Sequence, residues 1–148
     1  MNGCVGCALG DKSLAPPGGI LKETENFILH QDPLVPIKGF LIVASKRHIR
    51  SVAALSQAEA SEFFTLCHSA RCALAALEDV TGCTLIQEER GHLHLWIFPK
   101  YAWMDDLFED SLSSIRPILA YAKEHLQTEE TMREVIACAE RLRVLLNE

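Results

Sequence analysis

The sequence predicts an α+β domain built on an antiparallel sheet. Three observations carry that expectation. Strand-like runs come first, then a long helical pattern, then a strand pair, then helices again, which is not the alternation that builds a parallel sheet. Behind the capping box Ser56-Gln57-Ala58-Glu59, the residues Phe63, Leu66, Ala70, Leu74 and Leu77 recur at helical spacing. The strands Cys83–Gln87 and His92–Phe98 are separated only by Glu88-Glu89-Arg90-Gly91, a hairpin loop with glycine for the turn.

Taken in order, residues 1–22 read as loop, rich in Gly, Pro and Ala around Pro16-Pro17-Gly18-Gly19. Residues 24–31 read as a strand, and Pro33 and Pro36 break it. Phe40-Leu41-Ile42-Val43-Ala44 is a continuous apolar run, the mark of a central strand buried on both sides. The long helix after Ser56 covers roughly 22 residues and stops by Gly82. In His92–Phe98, Leu93, Leu95 and Ile97 share the core face, while His92, His94, Trp96 and Phe98 share the other. Tyr101–Leu112 reads as loop with a short helix. Ser114 caps a helix that tolerates Pro117 in its first turn. Thr131-Met132-Arg133-Glu134 is a second capping box, and the last helix carries Val135, Cys138, Leu142 and Leu145 on one face. The expected organisation is a domain over 1–100 and a helical extension, 101–148, packed on it.

With 148 residues, 49% of them apolar, the chain can bury a core without staples. A net charge of −6, with the short Lys46-Arg47-His48-Ile49-Arg50 as the densest basic cluster, argues against nucleic-acid binding and against polybasic docking to membranes. No apolar run approaches the ~20 residues that span a bilayer. Met1-Asn2-Gly3-Cys4 does not open like a signal peptide, so the expected compartment is the cytoplasm. Thiols there stay reduced, and Cys67, Cys72, Cys83 and Cys138 read as small core hydrophobes.

Two features ask for chemistry. Cys4-Val5-Gly6-Cys7 is redox-active, metal-binding or incidental. A glycine-rich loop with no preceding strand argues against the redox reading, and zinc needs two further ligands, for which histidines are the natural complement. The second feature is His92 and His94, side by side on the noncore face with Trp96. Such a face is either a half-exposed polar surface or a site, since imidazole binds metals and attacks phosphorus.

From about residue 4 to residue 100 the chain resembles the histidine triad (HIT) superfamily. The family motif stands here as His92-Leu93-His94-Leu95-Trp96-Ile97-Phe98-Pro99-Lys100, and Asp32-Pro33 through Lys46-Arg47-His48 is similar to the family's upstream segment. An N-terminal Cys-x-x-Cys is found in the zinc-containing branches, among them the galactose-1-phosphate uridylyltransferases. The resemblance implies that His94 is the nucleophile that attacks the α-phosphorus of a nucleotide. It implies a structural zinc on Cys4, Cys7, His48 and His92, a ribose contact from Asp32, a phosphate contact near Gln87, and a homodimer.

The chain departs from the pattern in three places. Trp96 replaces the third histidine and can donate but not accept; its expected part is to line the nucleotide site. The hairpin is short and acidic, and two carboxylates repel a polyphosphate unless they point away or Arg90 compensates. Lys100 replaces an arginine and loses bidentate phosphate geometry. The function expected is nucleotidyl hydrolysis or transfer, on a dinucleoside polyphosphate or nucleoside phosphoramidate, through a nucleotidyl-histidine. The alternatives are a noncatalytic nucleotide-binding module and a zinc-stabilised interaction protein.

Overall fold

The computed structural model describes residues 3–109 and 112–148. Met1 and Asn2, and Asp110 and Ser111 within the segment expected as loop and short helix, lie outside them. The elements run α1 (Val5–Gly10), β1 (Ile20–Glu23), β2 (Phe27–Gln31), β3 (Leu41–Ser45), a short 3-10 turn (Val52–Ala54), α2 (Gln57–Ala75), β4 (Gly82–Gln87), β5 (His94–Lys100), α3 (Ala102–Leu107), α4 (Ile115–His125) and α5 (Glu129–Asn147). The strands form one sheet in the order β1-β2-β3-β5-β4. Every neighbouring pair is antiparallel. The apolar run at 40–44 supplies β3, the central strand, buried along its whole length.

Period-two alternation divides the core between two faces. On one face Phe27, Leu29, Leu41, Val43, Leu95 and Ile97 pack against α2 and α5. The other face is covered in two patches: Leu9 of α1 lies over Ile28, Ile42 and Ala44, while Met104 of α3 and Ile115 and Ile118 of α4 lie over Phe40 and Phe98. Between the patches the sheet is left open, and there His94 and Trp96 are half-buried.

Several elements differ from the expectation. The N-terminal segment read as loop holds α1 and β1, both too short to show a periodicity; α1 has no side-chain cap and rests on the burial of Leu9. The strand expected over 24–31 begins at Phe27, because Thr24 to Phe27 is a turn closed by Thr24 N–H on the Phe27 carbonyl, 2.9 Å. The α2 capping box is as expected. Its helix stops at Ala75, before a turn whose Asp79 pairs with Lys38 at 2.5 Å. Helix α5 starts three residues early: Thr128, not Thr131, is its cap, and its Oγ1 accepts from Thr131 N–H at 3.1 Å. Pro99 lies inside β5, past Ile97, where pairing with β3 has ended and a missing donor costs least. Cys67 and Cys138 are core residues whose thiols burial pushes up to about 12 and about 11. Cys83 is half-buried and Cys72 is exposed beside His68 one turn away.

The loop from β3 to α2 is tied back by one ion pair. Arg47 donates through Nε and Nη2 to the two carboxylate oxygens of Glu59, each at 3.0 Å. Glu59 also accepts from Ser56 N–H at 2.8 Å. These partners, the Arg47 guanidinium first, hold the Glu59 carboxyl well below its ordinary 4.5, at about 2. A depressed carboxyl stabilises the fold fully above its unfolded value, and the gain is lost as pH falls through the folded value. Glu59→Gln is therefore expected to lower the melting temperature at neutral pH, with the difference from wild type shrinking between about pH 4.5 and 2. Thermal melts across that range check it.

Candidate functional site

Four side chains from three separate segments meet at one end of the sheet. Cys4 and Cys7 flank the start of α1, His48 follows β3, and His92 ends the hairpin before β5. Their ligand atoms all lie within 4.8 Å of one another. Cys4 Sγ is 3.6 Å from His48 Nδ1 and 3.5 Å from His92 Nδ1. Cys7 Sγ is 3.3 Å from His48 Nδ1 and 3.5 Å from His92 Nδ1, and the two Nδ1 atoms are 3.3 Å apart. A tetrahedron with metal–nitrogen and metal–sulfur bonds of ~2.1 and ~2.3 Å has N–N and N–S edges of about 3.4 and 3.6 Å. The residues present therefore fit a tetrahedral zinc.

The local sequence serves this approach. A Cβ on Gly6 would lie 2.5 Å from Cγ of His92, so only glycine lets the ring in between the two cysteines. His92 Nε2 is 2.5 Å from the Ser45 carbonyl. A carbonyl only accepts, so Nε2 carries the proton and Nδ1 presents a lone pair to the cluster. Burial lowers the His92 pKa and favours the neutral ring. Hydrogen bonding to the Cys4 thiol raises Cys7, so a metal entering this site displaces thiol protons.

His94 sits on β5 beside this cluster. Its Nδ1 is 2.6 Å from the His92 carbonyl, to which it must donate, leaving Nε2 with the lone pair. His94 lines a cavity of about 340 Å³ whose walls include Leu9, Ile42, Ala44 and Trp96. Asp32 lines it too, at the end of β2. Its Oδ1 accepts from Leu34 N–H at 2.8 Å and Val35 N–H at 2.7 Å, while burial raises its pKa. Trp96 packs edge-on against Phe40, ring centres 5.3 Å apart, and tilts over His94 at 6.2 Å. Gln87 is not brought here. It pairs with Leu95, and directly opposed residues share a face, so its side chain lies on the α2 side of the sheet.

The acidic hairpin is partly turned away. Glu89 accepts from the Ser51 hydroxyl. Glu88 and Arg90 join Arg116 around a second cavity of about 460 Å³ on the far side of His94 and Trp96. Lys100 pairs with Asp105 at 3.0 Å, at the opposite end of β5 from His94. The sequence argument passed over one residue of the site, His30. It faces the same cavity two positions before Asp32, which the strand's alternation could have revealed.

No family model matches the sequence, and no curated protein matches it. Solved structures do. A hypothetical histidine triad nucleotide-binding protein from Sulfolobus tokodaii strain7 has 16% identity and a TM-score of 0.69, over 97% of this chain and 92% of that one. A HIT-like protein involved in cell-cycle regulation from Bartonella henselae has 14% identity and a TM-score of 0.66, over 98% of both chains. A Zn-bound histidine triad family protein from Mycobacterium smegmatis has 21% identity and a TM-score of 0.59, over 95% of this chain and 96% of that one. The antiparallel sheet and its helices thus sit within an architecture shared with these proteins: the chain has the histidine triad fold.

Proposed function

We propose that this chain binds a nucleotide in the cavity over His94 and transfers or hydrolyses its nucleotidyl group through that residue. The observation that carries the reading is the 2.6 Å approach of His94 Nδ1 to the His92 carbonyl: Nδ1–H is spent there, so Nε2 keeps its lone pair on a residue that lines the cavity. In the first step Nε2 attacks the α-phosphorus, a nitrogen–phosphorus bond forms and the bond to the leaving group breaks. In the second, water or another acceptor takes the nucleotidyl group, loses its proton, and Nε2 regains its lone pair. Asp32 receives the ribose and Trp96 forms a wall. Among the described residues no side chain beside His94 stands out as a general acid, which favours substrates whose leaving groups need little protonation.

We assign a structural zinc to Cys4, Cys7, His48 and His92, where it would pin the N-terminal segment to the sheet. His92, held there, is not free to attack, so the two motif histidines divide the work. The assignment to nucleotides is supported by the fold shared with a histidine triad nucleotide-binding protein. Among the described residues no helix is long and apolar enough to cross a membrane.

The test is turnover of adenosine 5′-phosphoramidate or a diadenosine polyphosphate, with trapping of a nucleotidyl-protein at early times. Turnover with a trapped intermediate is expected. Binding without turnover would leave the noncatalytic module, a reading favoured by Trp96 at the third motif position. A second expectation concerns that wall: nucleotide should quench tryptophan fluorescence, and Trp96→Phe, which keeps Trp103, should lose the quenching. An undiminished signal change in the variant would place the nucleotide elsewhere.

A further inference from the structure

Helix α2 covers the face of the sheet opposite the His94 cavity, and its outer side carries a second cysteine–histidine pair. His68 and Cys72 stand one turn apart, the spacing that sets two side chains next to each other on a helix. Cys72 Sγ is 3.6 Å from His68 Nε2 and 3.9 Å from Nδ1. Sulfur is a large atom, and 3.6 Å is within its hydrogen-bond reach. The thiol therefore has a basic nitrogen to donate to, and both residues are exposed.

The pair borders a groove, not a flat helix surface. Between α2 and α5 lies a space of about 340 Å³, lined by Ala73, Ala76, Leu145 and Leu146 and by His68 and Cys72 themselves. The end of α2 is the negative end of its dipole and by itself disfavours an anion on sulfur. Arg141 of α5 opposes this by donating to the Ala76 carbonyl at 3.4 Å, which sets a cation there.

The other thiols are poor competitors. Burial pushes Cys67 and Cys138 up to about 12 and about 11 and raises Cys83 as well, so these three keep their protons. Cys4 and Cys7 belong to the four-residue cluster at the end of the sheet. Of the six cysteines only Cys72 is exposed.

We propose that Cys72 is a thiol–disulfide exchange site, which takes up one half of a low-molecular-weight disulfide such as oxidised glutathione and holds it along the groove between α2 and α5. Cys72 Sγ attacks one sulfur of the disulfide while His68 accepts the thiol proton. The new S–S bond forms as the old one breaks, the electron pair leaves on the departing sulfur, and that thiolate takes the proton back from His68. Cys72 is oxidised and the departing half is reduced to a free thiol; attack by a free thiol on the mixed disulfide reverses the step. The inference rests neither on the nucleotide reading nor on the zinc.

The experiment incubates the reduced full chain, purified without chelator, with oxidised glutathione, quenches with acid at intervals and maps the added mass by peptide mass spectrometry. Cys72 is expected to gain it first, with Cys67, Cys83 and Cys138 still unmodified. His68→Gln, a change at an exposed helix position that should leave the circular dichroism as in wild type, is expected to slow the uptake about tenfold or more. Unfolding in urea removes the fixed geometry and should slow Cys72 while it speeds Cys67 and Cys138. An unchanged rate in folded His68→Gln overturns the inference. So does a Cys72 that reacts no faster in the native chain than in the unfolded one, or a first modification at any other cysteine.

Discussion

Replacing Cys4 or Cys7 by serine, or His92 by alanine, is expected to abolish a zinc content of about one per chain and to lower the melting temperature by roughly 10 °C. The size follows from linkage. A metal held at a thousand times its dissociation constant stabilises the folded state by about 4 kcal/mol. A chain of this length gives up about 3 °C for each of those. The fall should stop short of unfolding, because the main core on the α2 face contains none of the four ligands. Losses should not add: once one ligand is gone, removing a second changes little. Cys72→Ser, at an exposed thiol outside the cluster, should keep its zinc. The pH dependence has a fixed sign, since thiols must lose protons to ligate, so zinc is retained at neutral pH and released as pH falls. Elemental analysis and thermal melts of the variants decide the matter. Full zinc content in Cys4→Ser or Cys7→Ser would reject the site.

His94→Ala is expected to lose turnover by roughly 10²-fold or more, with zinc content, folding and nucleotide affinity close to wild type. The separation of effects carries the argument. His94 is half-buried at the cavity wall, and its one hydrogen bond goes to the main chain, so truncation leaves no network broken. The ribose contact assigned to Asp32, at the end of β2, should hold the ligand. A loss confined to kcat is then the mark of a group that acts on the reacting atoms. Full activity in the variant would remove His94 from the chemistry.

Much of the fold is legible in the sequence, and the reasons are physical. A capping box followed by a long amphipathic pattern overdetermines α2, and a five-residue apolar run can be little else than the central strand β3. What was not legible is structure that depends on contacts made elsewhere. Helix α1 has no cap and no periodicity; it exists because Leu9 finds Ile28, Ile42 and Ala44. Strand β1 is four residues that pair with β2 through a bulge. In the candidate site, no spacing rule links Cys4 and Cys7 to His48 and His92; family resemblance named the four, and the fold gathers them. Gln87 shows the limit of such transfer. A side chain two positions from its expected neighbour in a strand keeps its face, but one position reverses it, and the resemblance located that residue only to the nearest position or so.

His92 touches both halves of the site through different atoms. Its ring enters the Cys4–Cys7–His48 cluster, and its carbonyl fixes the ring of His94. The peptide at 92 is therefore a shared hinge pin: a shift of this peptide would disturb both the ring in the cluster and the carbonyl that holds the tautomer proposed for His94. With the proposed zinc and nucleophile in place, a compound that strips the ion would pass in an assay for one that blocks His94. Screening hits against such a protein would then need sorting by whether added metal rescues them.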